Sequence, residues 1–375
     1  MTISLPADPA HARSLTDVVP DLLAAIAGSS DRLPPVRSGI VVVIDGLGAQ
    51  NLADRAGHGR FLRAHTTRKD VACSVFPSTT ASALTSLLTG APVGEHGLVG
   101  YRALVPGTDQ LRNQLTEWGP GLLDPLSWQR ARPLLAAASG APRFVVSKPD
   151  YAATGFTLAT ARGSEFHGER DVFARVELAA ALARRHDGAL VYVYAPELDV
   201  IGHKRGVESD EWAAALETVD AAARRLHEAV GGDVGVLVTA DHGMVDVPRH
   251  RHVLLGHEDP LVAGVRHIGG EPRMLHLYAE PGDAASVRAA WEAEAGRAWV
   301  FAREEAIAAG LFGPHVDEAV RERIGDVLVA ARSRIAYYDA RLADTSAQKM
   351  IGQHGSLTPE ERIVPLVRLG AFARV

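Results

Sequence analysis

A chain of 375 residues with 47% hydrophobic side chains buries a sizeable core, and its net charge of −6 is a modest solubility margin. No run of Lys or Arg offers a nucleic-acid polymer a phosphate-binding stripe, and no stretch has the apolar length to span a bilayer. The one cysteine, Cys73, excludes an intrachain disulfide and a thiolate metal cluster; with no signal-peptide pattern at the N-terminus, a cytoplasmic protein is expected.

Residues 1–38 read as an arm and a short helix with Leu15, Val18, Val19, Leu22 and Leu23 on one face. The run Gly39-Ile-Val-Val-Val-Ile-Asp-Gly-Leu-Gly48 has the continuous apolar character of a parallel strand covered on both faces, and it ends on Asp45. Ligands of open α/β sheets bind beyond the carboxyl ends of strands, so an acid there, followed by glycines, suits a metal. As a dinucleotide fingerprint the segment fails, because the third glycine and the later acid are missing. Residues 70–76 read as a strand ended by Pro77. Ser78 or Thr79 then caps a helix whose apolar face is Leu84, Leu87, Leu88 and Ala91. Thr80 falls in its first turn, where unpaired N–H groups and the positive end of the helix dipole favour a phosphate.

The stretch 98–140, with Tyr101, Asn113, Trp118 and Trp128, is punctuated by Gly and Pro and reads as a loop-rich excursion. A strand over 143–148 and a helix after 164 follow, then a buried strand over 188–195. Beyond it Asp199 and His203 stand four apart, so a helical turn would put both on one face, able to hold one ion. A helix over 210–230 returns the chain and keeps successive strands parallel. The next strand, 234–240, runs into adjacent Asp241 and His242, ligand types that are costly to bury unless a metal or another charge meets them. From 248 to 348 the pattern changes to that of an inserted α/β cap, whose histidines His250, His252, His257, His276 and His315 read as surface or core residues. His354 lies between glycines, ahead of a last strand that rejoins the main sheet. The expectation is one domain over 1–375 carrying an insertion at about 248–348.

Asp45, Thr80, Asp199, His203, Asp241, His242 and His354 together supply three carboxylates, three imidazoles and a hydroxyl. Such a mixed oxygen and nitrogen donor set suits two divalent ions, zinc first and manganese second.

The chain resembles the alkaline phosphatase superfamily, and within it the type I phosphodiesterase/nucleotide pyrophosphatase family. The resemblance rests on Ile44-Asp45-Gly46, Thr80 with Thr89-Gly90 after it, Asp199-x-x-x-His203, Asp241-His242-Gly243 and Gly352-x-His354-Gly355, in that order. It implies an alkaline-phosphatase-like three-layer α/β sandwich: a mostly parallel central sheet with helices on both faces. It also implies that Asp199, His203 and His354 hold one metal, and that Asp45, Asp241 and His242, with the Thr80 oxygen, hold the other. Thr80 would then be the nucleophile, forming a covalent phosphothreonine during hydrolysis of a phosphodiester or phosphoanhydride, and phosphorus would show net retention. Relatives carry an Asn at the place that falls on Tyr101, where a phenol donates one hydrogen bond to a phosphoryl oxygen.

A small phosphate ester or nucleotide is the expected partner; neither a nucleic-acid polymer nor a membrane is. The sequence fixes no oligomeric state. The alternatives are a phosphomonoesterase or phosphonate hydrolase on the same bimetallic site, for which Arg162, Lys148 or Arg273 would have to clamp the anion, and a non-catalytic binding protein of the same fold. A sulfatase is disfavoured because Cys73 is not followed by that family's Pro and Arg.

Overall fold

The computed structural model describes residues 5–136 and 140–373. The first four residues of the N-terminal arm and residues 137–139 of the 98–140 excursion lie outside the described residues. Leu15–Ile26 form helix α1, Ser38–Ile44 strand β1, Thr80–Thr89 helix α2, Arg143–Ser147 β2, Glu165–Gly168 β3 and Val172–Arg185 α3. Leu190–Ala195 form β4, Glu197–Arg205 α4, Asp210–Val230 α5 and Val234–Thr239 β5. Val265–Glu271, Met274–Ala279, Ala298–Ala302 and Val327–Ala331 are β6 to β9, and Val367–Gly370 is β10.

The main sheet runs β10-β5-β1-β4-β2-β3, parallel throughout except for β10 at the edge. Its centre is β1, all seven residues of which are buried. Ile40, Val41 and Val43 have no solvent exposure, and each such side chain contributes roughly 1.5–3 kcal/mol of hydrophobic stabilisation. Neighbouring residues of a strand point to opposite faces. The Ser38 hydroxyl donates to the Ala183 carbonyl of α3, while Gly39 lies against Leu22 and Ile26 of α1. α1 and α3 therefore cover opposite faces, and the fold is a three-layer α/β sandwich. Among the described residues no helix is long and apolar enough to cross a membrane.

Register places the strand ends. Ile44 pairs with Ala195 and Val43 with Thr239, so β1, β4 and β5 finish level and release Asp45, the Pro196–Asp199 turn and Asp241 at one edge. Between β5 and β10 the chain builds a second, antiparallel sheet, β6-β7-β9-β8, packed on its own core with Leu277, Trp291 and Val329. This sheet is locked to the rest by a buried pair: the Arg273 guanidinium donates through Nε and Nη2 to the two carboxylate oxygens of Glu361, both at 2.7 Å.

The strand expected over 70–76 is shorter, Val71–Cys73, and pairs with Arg13–Ser14 and Ile363–Pro365 outside the main sheet. It ends early because Ser74 turns to Arg362: its N–H donates to the Arg362 carbonyl, and its own carbonyl accepts from that guanidinium.

Candidate functional site

Seven side chains far apart in sequence meet at the carboxyl edge of the main sheet. Asp45 follows β1, Asp241 and His242 follow β5, and Thr80 opens α2. Asp199 and His203 sit one turn apart on α4, and His354 comes from the loop before β10. Two glycines let the strand turns close on one another. Gly46, at φ 77°, turns its N–H onto Asp241 Oδ1, and a Cβ on Gly243 would fall 2.7 Å from Gly48 Cα.

Thr80 lies in the first turn of a helix buried along its whole length, as the sequence implied. Thr79 takes the N-cap position, but its hydroxyl makes no capping bond and faces Glu271 instead. The first-turn N–H groups are thereby left for a ligand. Thr80 Oγ1 is 3.1 Å from His242 Nε2.

The ligand-type groups fall into two sets. In Asp45, Asp241 and His242, and again in Asp199, His203 and His354, one donor atom from each residue lies within 4.8 Å of the others. In the first set His242 Nε2 is 3.4 Å from both Asp45 Oδ1 and Asp241 Oδ2. In the second, Asp199 Oδ1 is 3.3 Å from His203 Nε2 and 3.9 Å from His354 Nε2. The rings of His242 and His354 stack 3.5 Å apart and join the two sets.

Hydrogen bonds fix which atoms face inward. His203 Nδ1 meets the Gly352 carbonyl at 2.8 Å, His354 Nδ1 the Ser78 carbonyl at 3.1 Å, and His242 Nδ1 the Gly243 carbonyl at 3.2 Å. A carbonyl only accepts, so each neutral ring carries its proton on Nδ1 and turns a bare Nε2 lone pair inward, the tautomer a metal ligand requires. The carboxylates do the same: Asp45 Oδ1, Asp199 Oδ1 and Asp241 Oδ2 are buried without a hydrogen-bond partner. An orphaned buried oxygen costs about 1–3 kcal/mol, so three of them aimed at three lone pairs fit a pair of cations. Burial, together with the neighbouring Asp241 and Asp199 charges, pushes Asp45 well above the usual carboxylate range; burial raises Asp241 as well. Burial and the adjacent His242 and His203 hold His354 well below the ordinary imidazole value. Without cations Asp45 and Asp241 resist ionisation and His354 resists protonation.

Two cavities open at Thr80. One, of about 510 Å³, is lined by Thr79, Tyr101, Glu271, His203 and His354; the other, of about 300 Å³, by Leu84, Val145, Tyr151, Phe156, Tyr192 and Tyr194. Thr80, Leu115 and Asp199 belong to both. Tyr101 thus lies beside the site, its N–H donating to Glu271 Oε2 at 3.1 Å. The suggested anion clamps are engaged elsewhere: Arg273 with Glu361, Lys148 with Glu197 at 3.4 Å, and Arg162 with the Ala159 carbonyl.

Sequence reasoning missed three features. Tyr194 donates from its phenol to Asp45 Oδ2. Its signal is a phenol beside the end of an otherwise apolar strand. Glu271 reaches the site from the second sheet, and burial raises its carboxyl to about 8 against the pull of the Thr79 hydroxyl and the Tyr101 N–H. Nothing in its local sequence announces it. The apolar cavity gathers residues from five segments and shows only in three dimensions.

Residues 39–357 match the family model of the type I phosphodiesterase/nucleotide pyrophosphatases, so the chain belongs to that family, within the alkaline phosphatase superfamily, and is a phosphoester hydrolase. No curated protein sequence matches it significantly. Among solved structures, murine ectonucleotide pyrophosphatase/phosphodiesterase 5 superposes with a TM-score of 0.67 at 17% identity, covering 88% of this chain and 87% of that one. An inactive threonine-to-alanine variant of the same murine protein, in complex with AMP, gives a TM-score of 0.66 at 17% identity over the same shares of the two chains. Phosphonoacetate hydrolase from Sinorhizobium meliloti 1021, in complex with phosphonoformate, gives 0.64 at 20% identity, covering 90% of this chain and 91% of that one. These likenesses concern the fold. The family match is what makes the chain a hydrolase of the phosphodiesterase/nucleotide pyrophosphatase kind.

Proposed function

We propose that this family member hydrolyses small phosphodiesters or phosphoanhydrides, nucleotides among them, with Thr80 as nucleophile. The observation that carries the reading is the pair of cavities meeting at Thr80 and Asp199. A phosphorus with two unlike substituents has a place for each, the larger cavity for one and the smaller, more apolar cavity for the other. A monoester or a small phosphonate needs only one such place and a cationic clamp. Among the described residues lining the two cavities, Arg102 is the single guanidinium or ammonium group.

Asp45, Asp241 and His242, with Thr80, would hold one divalent cation, and Asp199, His203 and His354 the other. Three imidazoles among the donors favour zinc, then manganese. When bound, the cations supply Lewis-acid charge for the attacking, departing and non-bridging oxygens. The chain's own groups do the rest. Thr80 Oγ1 attacks phosphorus in line, forming the Oγ–P bond as the bond to one substituent breaks; the hydroxyl proton passes to solvent and the departing oxygen takes one up. First-turn N–H groups of α2 face the charge on the non-bridging oxygens, and the Tyr101 phenol is placed to donate one further hydrogen bond. Water then attacks phosphorus, the Oγ–P bond breaks, and Thr80 recovers its proton. Two inversions give net retention. The residues 248–348 are read as a cap carried by the single catalytic domain. A cytoplasmic setting is retained for a chain whose only thiol, Cys73, is free and buried.

Hydrolysis of bis-p-nitrophenyl phosphate and of p-nitrophenyl phosphate by purified protein, each with Thr80→Ala, tests the reading. The diester should be the better substrate, and the variant should lose several orders of magnitude in rate while keeping its fold. Preference for the monoester would overturn the substrate class, and an active Thr80→Ala would overturn the nucleophile.

A further inference from the structure

Among the three carboxylates of the two ligand sets, Asp45 is the one with an oxygen that accepts from a tyrosine phenol. Asp241 Oδ1 accepts from two backbone N–H groups, of His242 at 3.0 Å and Gly46 at 3.3 Å. Asp45 Oδ2 accepts from the Tyr194 phenol, and its Oδ1 is left facing His242 Nε2. Tyr194 is itself fixed. Its carbonyl accepts from the buried Arg175 guanidinium at 2.6 Å, and its ring stands edge-on to Tyr151 with centroids 5.8 Å apart. The same ring lines the apolar cavity.

We infer that Tyr194 is a positioning residue for the inner metal, the one that Asp45, Asp241 and His242 would hold: by occupying Asp45 Oδ2 it leaves Asp45 to bind through Oδ1, and it ties that ligand to the wall of the apolar cavity. The inference rests on the two-cation reading above. A carboxylate released from this hold would rotate between one-oxygen and two-oxygen ligation and lose its preset aim, a kind of change that weakens metal binding about 10–100-fold at comparable sites. Only the inner set is affected, because Tyr194 makes no hydrogen bond to Asp199, His203 or His354.

The test is calorimetric titration of metal-stripped protein with Zn²⁺, for wild type, Tyr194→Phe and Tyr192→Phe, each checked for folding by circular dichroism and thermal melting. Tyr192 lines the same cavity without bonding Asp45, and so serves as control. Wild type and Tyr192→Phe should show two sites of unchanged affinity. In Tyr194→Phe one site should weaken about 10–100-fold and the other stay as it was. In an Asp45→Asn background the Tyr194→Phe change should add nothing, since the phenol acts through that carboxylate. Unchanged affinities in Tyr194→Phe, an equal loss at both sites, or full additivity with Asp45→Asn overturns the role of Tyr194 alone. A wild-type chain that binds no Zn²⁺ overturns the two-cation reading and this inference with it.

Discussion

The two ligand sets draw on the same residue types, two acids and one imidazole in one and one acid and two imidazoles in the other, but differ in setting. Asp45, Asp241 and His242 emerge from adjacent strand ends, and their side chains are at most 2% exposed. Asp199, His203 and His354 come from a short helix and a loop, with side chains 15%, 25% and 9% exposed. The inner set is built into the sheet and cannot relax. The outer set borders a wide cavity and is open to water. On the proposed reading the contrast is a division of labour: the rigid set would hold the nucleophile, while the open one would meet what arrives and leaves.

Asp241→Asn should lower kcat/KM for a diester by about four orders of magnitude, the scale on which residues acting as a unit fail, whereas His203→Gln should cost at least tenfold less because water can fill its place. Equal losses would erase the distinction. The buried tie beneath the inner set gives the next largest effect: Arg273→Met leaves Glu361 buried and uncompensated and should destabilise the fold by about 3–5 kcal/mol in urea unfolding. A comparable effect lies in pH. In metal-free protein the folded Glu271 keeps its proton up to about 8, whereas the unfolded chain releases it near 4.5. Its contribution is therefore fully present below 4.5 and lost as pH rises through 8. Glu271→Gln should remove that share of the decline, on the order of 5 kcal/mol for a shift of this size, in melts recorded across the range. An unaltered pH profile would show the carboxyl to be ionised throughout. The mildest test is chelation followed with a zinc-sensitive dye. Release should be biphasic, the faster phase about tenfold ahead and absent in His203→Gln, since the more exposed cation meets chelator first; a single phase would make the two sets equivalent.

Strands β1, β2, β4 and β5 were legible because they are apolar runs, and Asp45 and Asp241 because acids follow such runs directly; β3 was not, because Glu165-Phe-His-Gly168 is half-exposed and polar and lies where a helix was expected. Asp199 and His203 showed through their spacing of four, which α4 realises. Tyr194 hid inside an apolar strand, where its ring satisfied the pattern and its hydroxyl was not asked for a partner. Glu271 and the Arg273 tie hid because the second sheet reads as an independent unit, and nothing local says where it docks. Thr79 shows the limit of capping rules: the position was legible, but a carboxyl 192 residues further along the chain competes for its hydroxyl.

The Arg273–Glu361 lock reaches beyond stability. Glu361 also takes the Ser356 N–H at 3.0 Å through its side chain and the Gly243 N–H at 2.9 Å through its carbonyl, so the loops bearing His354 and His242 are moored to the residue that Arg273 neutralises. The second sheet is consequently not an exchangeable accessory: removing it, or replacing it with a version lacking a matching arginine, would loosen the imidazoles of both sets at once.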